Sequence, residues 1–242
     1  MMKKTKINRL IRELEKINHY GTRKILVQLK KEVNVYLSCN TRQNILEKKI
    51  KQQLRRKSKI QIGGGKNYLL DFINIDISKP ADIIYDVRNG IPLPSNCINF
   101  IFTEHFLEHI DYPISVLNFF SEAYRVLRNN GKFVVSVPDT KLIATAYVKN
   151  NKKLLYKIKN RWYSKRSIIK NIDSGIDIVN LVIRDEYANK KYTPHFWGYD
   201  EKKLKQLFID SGFKNIKKWS FNKEIANIKR RFGSIYIEGT KK

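Results

Sequence analysis

The sequence predicts an α/β protein built on an open sheet, and three observations lead there. From Lys59 onward the chain carries short apolar runs rich in β-branched and aromatic residues, "KIQI", "FINIDIS", "ADIIYDV", "INFIF" and "KFVVSV", with few alternating polar positions. That is the pattern of strands covered on both faces. Helical patterns, "ISVLNFFSEAYRVLR" and "EKKLKQLFIDSGF", are interspersed with such runs, as in α/β folds. Finally, each of the first five strands is followed by glycine or polar residues: Gly63, Gly64 and Gly65; Asp76; Asp86; Thr103, Glu104 and His105; Pro138 and Asp139. Open α/β sheets bind ligands outside the carboxyl ends of their strands. One polar strand end would mean little, but five in succession mark a ligand site.

The elements follow in order. Residues 1–58 form a basic segment in which Leu10, Ile11, Leu14 and Ile17 fall at helical spacing, and "QNILEKKIKQQLRRK" repeats the pattern with Ile45, Ile50 and Leu54. The expectation is two basic amphipathic helices around a short strand-like "EVNVYLSC". Residues 59–242 form the main domain. Its first strand ends at the triple glycine, the second at Asp76, the third near Asp86, and the fourth is "INFIF". After the helix "ISVLNFFSEAYRVLR", "NNG" reads as a turn and "KFVVSV" as the fifth strand. Residues 140–193 read as a basic, aromatic insertion with a helical pattern. The chain then returns through "HFWGYD", a helix, a strand near "IKKWSF" and a last strand "GSIYIEG".

Composition narrows the class. With 242 residues, 42% of them hydrophobic, the chain can bury one substantial core, or one domain plus an appendage. Cys39 and Cys97 are far apart and lack metal-type spacing, which argues against a disulfide framework or cysteine-ligated zinc and fits a reducing cytosol. No apolar run reaches the roughly 18 residues of a membrane span, and the basic start lacks the apolar stretch of a secretory signal. A cytoplasmic protein, peripheral to membrane as an alternative, is expected. The net charge of +27 is extreme, and residues 1–58 hold about half of it, with four Glu and no Asp. An anionic partner (nucleic acid, a membrane surface, a phosphorylated or acidic substrate) is one explanation. A Lys-, Asn- and Ile-rich compositional bias is the other.

"TEHFLEHI" contains His105, Glu108 and His109 as H-x-x-E-H, the pattern of an inverted zinc-peptidase helix. That chemistry needs two His stacked on a sustained helix. Here a strand precedes the motif, and Asp111-Tyr112-Pro113 leaves room for only one or two turns. A third ligand could be imagined only in Glu122 or His195. No metal is expected, and Glu108 and His109 read as a pair that holds the turn.

The same segments, in the same order, resemble class I S-adenosylmethionine-dependent methyltransferases, and within them a compact type 11-like group often found with polysaccharide biosynthesis. "IQIGGG" resembles L-N-L-G-C-G, with Gly64 in place of the small Cys or Ser. "DFINIDIS" resembles G-W-x-N-x-D-I, and "TEHFLEHI" resembles S-E-H-x-L-E-H. "EAYRVLRNNGKFVVSVPD" resembles E-x-x-R-V-L-K-P-G-G…V-P-D, with Asn129 and Asn130 replacing Pro and Gly. "HFWGYDEKKLKQLFIDSGF" resembles H-x-x-x-Y-D…L…L…A-G-F. The resemblance covers residues 59–148 and 195–239. Gly65 and Asp76 are only 11 residues apart, against about 20 in dinucleotide folds, so the intervening helix is very short or missing, as is typical of the compact group.

The resemblance implies a Rossmann-like open sheet, mostly parallel with the last strand antiparallel. It implies S-adenosyl-L-methionine as cofactor, held by Gly63, Gly64, Gly65, Asp76, Ile77, Asp86, Val87, Glu104 and His105. Asp76 would take the ribose hydroxyls and Asp86 the adenine amino group. His105 is the first candidate for base or acceptor orienter and His195 the second, with Asp139 and Tyr199 as acceptor-site candidates. The implied acceptor is a sugar or glycan, lipid-linked forms included, methylated on a hydroxyl or carboxylate. Two other readings stay open: methylation of RNA or another polyanion, with Trp162 and Tyr163 stacking on bases, and a non-catalytic nucleic-acid-binding protein on a degenerate fold.

Overall fold

The computed structural model describes residues 4–16, 20–39, 43–163, 172–185 and 194–242. Seven strands form one sheet: β1 (Lys59–Ile62), β2 (Ile73–Asp76), β3 (Ile83–Ile84), β4 (Ile98–Glu104), β5 (Leu127–Pro138), β6 (Lys214–Lys218) and β7 (Ser234–Thr240). Their order across the sheet is β3-β2-β1-β4-β5-β7-β6. β1 pairs in parallel with β2 and β4, β2 with β3, and β4 with β5. β7 slots antiparallel between β5 and β6. The expected sheet, mostly parallel with an antiparallel last strand, is the one observed.

Burial explains why these runs are strands. Every residue of β2 is buried, as are Ile60, Gln61 and Ile62 of β1 and Ile101 to Glu104 of β4. Such strands need apolar residues on both faces. α4 (Ile114–Val126) buries Val116, Phe119, Phe120, Ala123 and Val126, the one-face spacing of an amphipathic helix. Its phenylalanines meet Phe133 of β5 and Phe208 of α8 (Glu201–Asp210), with ring centroids 5.1–5.8 Å apart in edge or tilted arrangements. Glu122 on the same helix holds the β3–β4 connection. It accepts from the Ile91 N–H at 2.8 Å and from Arg125, whose guanidinium also donates to the carbonyls of Ile91 and Leu93.

Three segments differ from the sequence expectation. "EVNVYLSC" is helical, the end of α2 (Tyr20–Cys39). Leu26, Leu29, Val33 and Leu37 recur at helical spacing over the longer window, and that period overrides the β-branched Val33 and Val35. The third strand shrinks to Ile83–Ile84, because Asp86 caps a 3-10 turn over Val87–Asn89. "NNG" is not a turn between elements but a kink inside β5, with Asn130 at φ 65°.

The N-terminal helices pack onto this frame. α1 (Lys4–Glu15) lies against α2, and α3 (Gln43–Leu54) inserts Ile50 into the main core across the expected boundary at residue 58. Ile17 and His19 lie outside the described residues. The insertion forms a small core of its own: Ile143 and Ala146 of α5 (Thr140–Val148), Leu155 and Ile158 of α6 (Lys152–Tyr163), and Ile178 and Val182 of α7 (Gly175–Arg184). α7 opens with a reciprocal capping box between Ser174 and Asp177. Both cysteines are free, and no described helix is long and apolar enough to cross a membrane.

Phe133 is the hub of the aromatic cluster. Phe133→Ala should lower unfolding free energy by about 3–5 kcal/mol, read from urea denaturation, because a fully buried ring bounded by four others leaves a cavity that cannot collapse.

Candidate active site at the carboxyl edge of the sheet

Parallel pairing brings the ends of β1, β2 and β4 to one edge, where they border a cavity of about 420 Å³. Gly63, Gly64, Gly65, Asp76, Ile77, Asp86, Val87 and His105 all line it. The glycines are required by geometry as well as by access. Gly63 and Gly65 adopt φ 67° and 58°, the left-handed region where side chains are strained. A Cβ on Gly63 would sit 2.4 Å from the Phe106 ring. Asp76 ties the loop down: one oxygen accepts from the Gly65 N–H at 2.9 Å and the other from the Ser78 N–H at 3.0 Å. This bond spans the 11-residue gap that replaces the usual helix.

Asp86 lies in the wall as expected, but not as a bare acceptor. Arg88 clasps both its oxygens through Nε and Nη2, at 2.7–3.0 Å. Arg88 also reaches back to Glu32 on α2 at 2.7 Å, and Val35 of the same helix lines the cavity. Thus the N-terminal segment supplies part of the site. Arg88, Phe106, His109 and Arg230 also line the wall and were missed from sequence. His109 stood within a motif but was read as structural. Arg230 lies between β6 and β7, where no local pattern announces a ligand contact.

His105 sits at the end of β4 with φ 53°, unusual for a residue with a side chain. Its N–H donates to the Ser136 carbonyl at 2.8 Å, and its Nε2 lies 2.7 Å from Ser234 Oγ. Trp162 meets it edge-on at 5.7 Å. Burial, then the nearby Arg230 charge, hold its pKa well below the ordinary histidine value, so the ring is neutral.

Behind His105 is a buried polar cluster. Glu108, only 1% exposed, lies 3.7 Å from His105 Nδ1 and 4.0 Å from His195 Nε2. Neither of its oxygens accepts a hydrogen bond among the described residues, and burial pushes its pKa up to about 8. His195 stacks edge-on against His109 at 4.7 Å and places Nε2 3.8 Å from Asp185. The segment carrying His195 is fastened by the Phe196 N–H, which donates to the Glu108 carbonyl at 2.7 Å.

Four candidate residues, Glu104, Asp139, His195 and Tyr199, stand outside the cavity wall. The Glu104 carboxylate turns toward β7, where Tyr236 Oη donates at 2.7 Å and the Asn227 N–H at 3.2 Å, and it meets the cavity only through Arg230. Asp139 caps α5 by accepting from the Leu142 N–H at 2.9 Å, beside the buried Tyr199. His195 sits behind His109 rather than in the wall. Tyr236→Phe should therefore cost about 1.5–3 kcal/mol of stability in a thermal melt, without weakening ligand binding in the cavity.

Residues 30–135 match the family model of a methyltransferase domain of type 11. Solved structures similar to this chain include a methyltransferase from Thermotoga maritima, at 16% identity and TM-score 0.43, covering 78% of this chain and 87% of that one. Another, from Archaeoglobus fulgidus, has 12% identity and TM-score 0.44, covering 82% and 94%. A third, from Methanosarcina mazei, has 15% identity and TM-score 0.44, covering 79% and 96%. No curated protein sequence matches the chain. The match spans the glycine loop, Asp76, Asp86 and the T-E-H strand end that together frame the cavity. Residues 30–135 thus carry a methyltransferase domain of type 11, whose methyl donor is S-adenosylmethionine.

Proposed function

We propose that this methyltransferase acts on a hydroxyl or carboxylate of a sugar or glycan, lipid-linked acceptors included, with the cofactor held in the 420 Å³ cavity. The volume lies within the range of small-molecule sites. The glycine loop offers backbone with no side chain in the way. Asp76 keeps lone pairs for ribose hydroxyls beyond the N–H groups of Gly65 and Ser78. Val87 and the Asp86–Arg88 pair would border the adenine, and Ile77 the ribose.

When bound, the cofactor supplies a sulfonium-borne methyl group for in-line displacement. The protein's task is then alignment of the acceptor oxygen, and for a hydroxyl, removal of its proton. The observation that carries this reading is His105. A neutral imidazole is held in a strained backbone position at the wall of the cavity, with Ser136 and Ser234 as partners. Strain of that kind clusters where geometry is functional. His195 would act on the acceptor side through His109, and Asp139 by setting α5. Exposed Trp197, stacked on Tyr112 at 4.9 Å, and Trp162 beside His105 offer rings to a sugar face. Arg230 offers charge to an anionic acceptor.

A second reading, methylation of RNA or another polyanion, is favoured by one feature. α3 and the turn after it gather Lys48, Lys51, Arg55 and Arg56 around a surface hollow. An anionic membrane surface would engage the same residues. Binding through them would fall steeply with salt.

Calorimetric titration with S-adenosylhomocysteine should show affinity on the order of micromolar, lost in Asp76→Ala. No binding by folded protein would defeat the reading. His105→Ala should lower the methyl-transfer rate by about 10²–10⁴-fold, with a smaller change in cofactor affinity. Labelled methyl groups should enter a ribonuclease-resistant carbohydrate fraction; label that ribonuclease releases would select the polyanion reading.

A further inference from the structure

We propose that Glu108, His109 and His195 bind a first-row divalent metal ion, with Zn²⁺ the best chemical match, directly behind the wall of the cofactor cavity. One ligand atom from each of the three residues lies within 4.8 Å of the others. Ligands that share a zinc ion at 2.0–2.2 Å stand about 3.4 Å apart. Small side-chain rotations close the difference. Two imidazoles and a carboxylate suit Zn²⁺ and its neighbours in the first transition row, and suit Mg²⁺ or Ca²⁺ poorly.

Two further features point to a cation. Glu108 is buried within a 3-10 turn, Leu107–His109, and both its oxygens lack a hydrogen-bond donor among the described residues. A carboxylate removed from water without donors is costly unless a proton or cation neutralises it. Arg230, the nearby guanidinium, donates instead to the Glu104 carbonyl at 2.9 Å. The second feature is the orientation of His195. Its Nδ1 lies 2.7 Å from the Val182 carbonyl, so Nδ1 carries the proton and the Nε2 lone pair faces Glu108 at 4.0 Å and Asp185 at 3.8 Å. A histidine whose outer nitrogen donates to a backbone carbonyl while its inner lone pair faces carboxylates has the arrangement of a metal ligand with its supporting shell.

The site is not the inverted zinc-peptidase site that H-x-x-E-H suggests. That motif would use both of its histidines on one helix, whereas His105 here turns its Nε2 to Ser234. The third ligand comes from residue 195, brought alongside by the Phe196–Glu108 backbone bond. Asp185 stands close enough to serve as a fourth ligand or to orient His195.

The role of the ion rests on the methyltransferase reading. His109 belongs both to the cluster and to the cavity wall, so an ion held there would be in a position to polarise an acceptor hydroxyl bound in the cavity. Coordination lowers the pKa of a bound hydroxyl. His105 would take that proton as the oxygen displaces the methyl carbon from sulfur, which would keep the electron pair of the broken carbon–sulfur bond.

The test is metal analysis of full-length protein without a polyhistidine tag, followed by chelator stripping and titration with Zn²⁺ against a chromophoric competitor. Co²⁺ serves as a visible-absorption probe of nitrogen and oxygen ligation. We expect one ion per chain. Glu108→Gln and His195→Ala should each weaken Zn²⁺ binding by about 10–100-fold and alter the Co²⁺ spectrum. Stripping should lower the thermal midpoint of the wild type only. Folded wild-type protein that binds neither ion, or equal Zn²⁺ affinity in wild type and both variants, would overturn the proposal. S-adenosylhomocysteine titration of the same samples separates the two claims. Cofactor binding without metal binding rejects the ion alone, and metal binding without cofactor binding rejects the methyltransferase site alone.

Discussion

Parallel pairing of β1 with both β2 and β4 is the constraint from which the site follows. Ile62 lies opposite Ile75 on one side and Thr103 on the other. Gly63, Asp76 and His105 consequently emerge at one edge within reach of a common ligand. The pairing holds because these strands are covered on both faces, with Ile60, Ile62, Ile73, Ile75 and Ile101 all buried in the core. Its centre is the phenylalanine cluster that joins α4, β5 and α8. Shift β1 by one residue and the glycine loop would lose the Gly63–Ile75 backbone bond and the Asp76–Gly65 bond that shape it.

The site has two layers with different physics. The front layer is a ligand cavity made of backbone, two acids and an aromatic ring, open enough to receive a cofactor. The back layer is a cluster of three histidines, Glu108 and Asp185. Its charges face one another at 3.7–4.0 Å, too far for direct hydrogen bonds and too close for indifference. His105 and His109 belong to both layers. Chemistry at the front is thereby tied to whatever neutralises the back, be it a proton or an ion.

The extremely basic chain places its acids sparingly, and many of those it has are fixed in structural work. Glu122 organises the β3–β4 connection, Glu104 braces β7, Asp139 and Asp200 cap helices, and Asp82 accepts from the Asn74 N–H of β2. The surplus of Lys and Arg is left on the outside, with a dense group along α3. Charge of this kind governs encounter with anionic partners rather than the fold.

Strand identity and helix α4 could be read from the sequence, because apolar period is a local signal, while the antiparallel close of the sheet and the eight lining residues at the strand ends were what the family resemblance implied. α2 was misread where a short window of Val and Tyr masked a longer helical period. The direction of Glu104 was also hidden: at the last residue of a strand, which face a side chain takes depends on what β7 offers it, and Tyr236 lies 132 residues away. Arg230 and Val35 reach the cavity from segments with no motif at all. The largest gap is the histidine cluster. The sequence by itself determined that His105, Glu108 and His109 share one turn. Only the tertiary structure decided that His195 and Asp185 join them, because a cluster assembled from distant segments depends on how the chain closes over the sheet rather than on spacing along it.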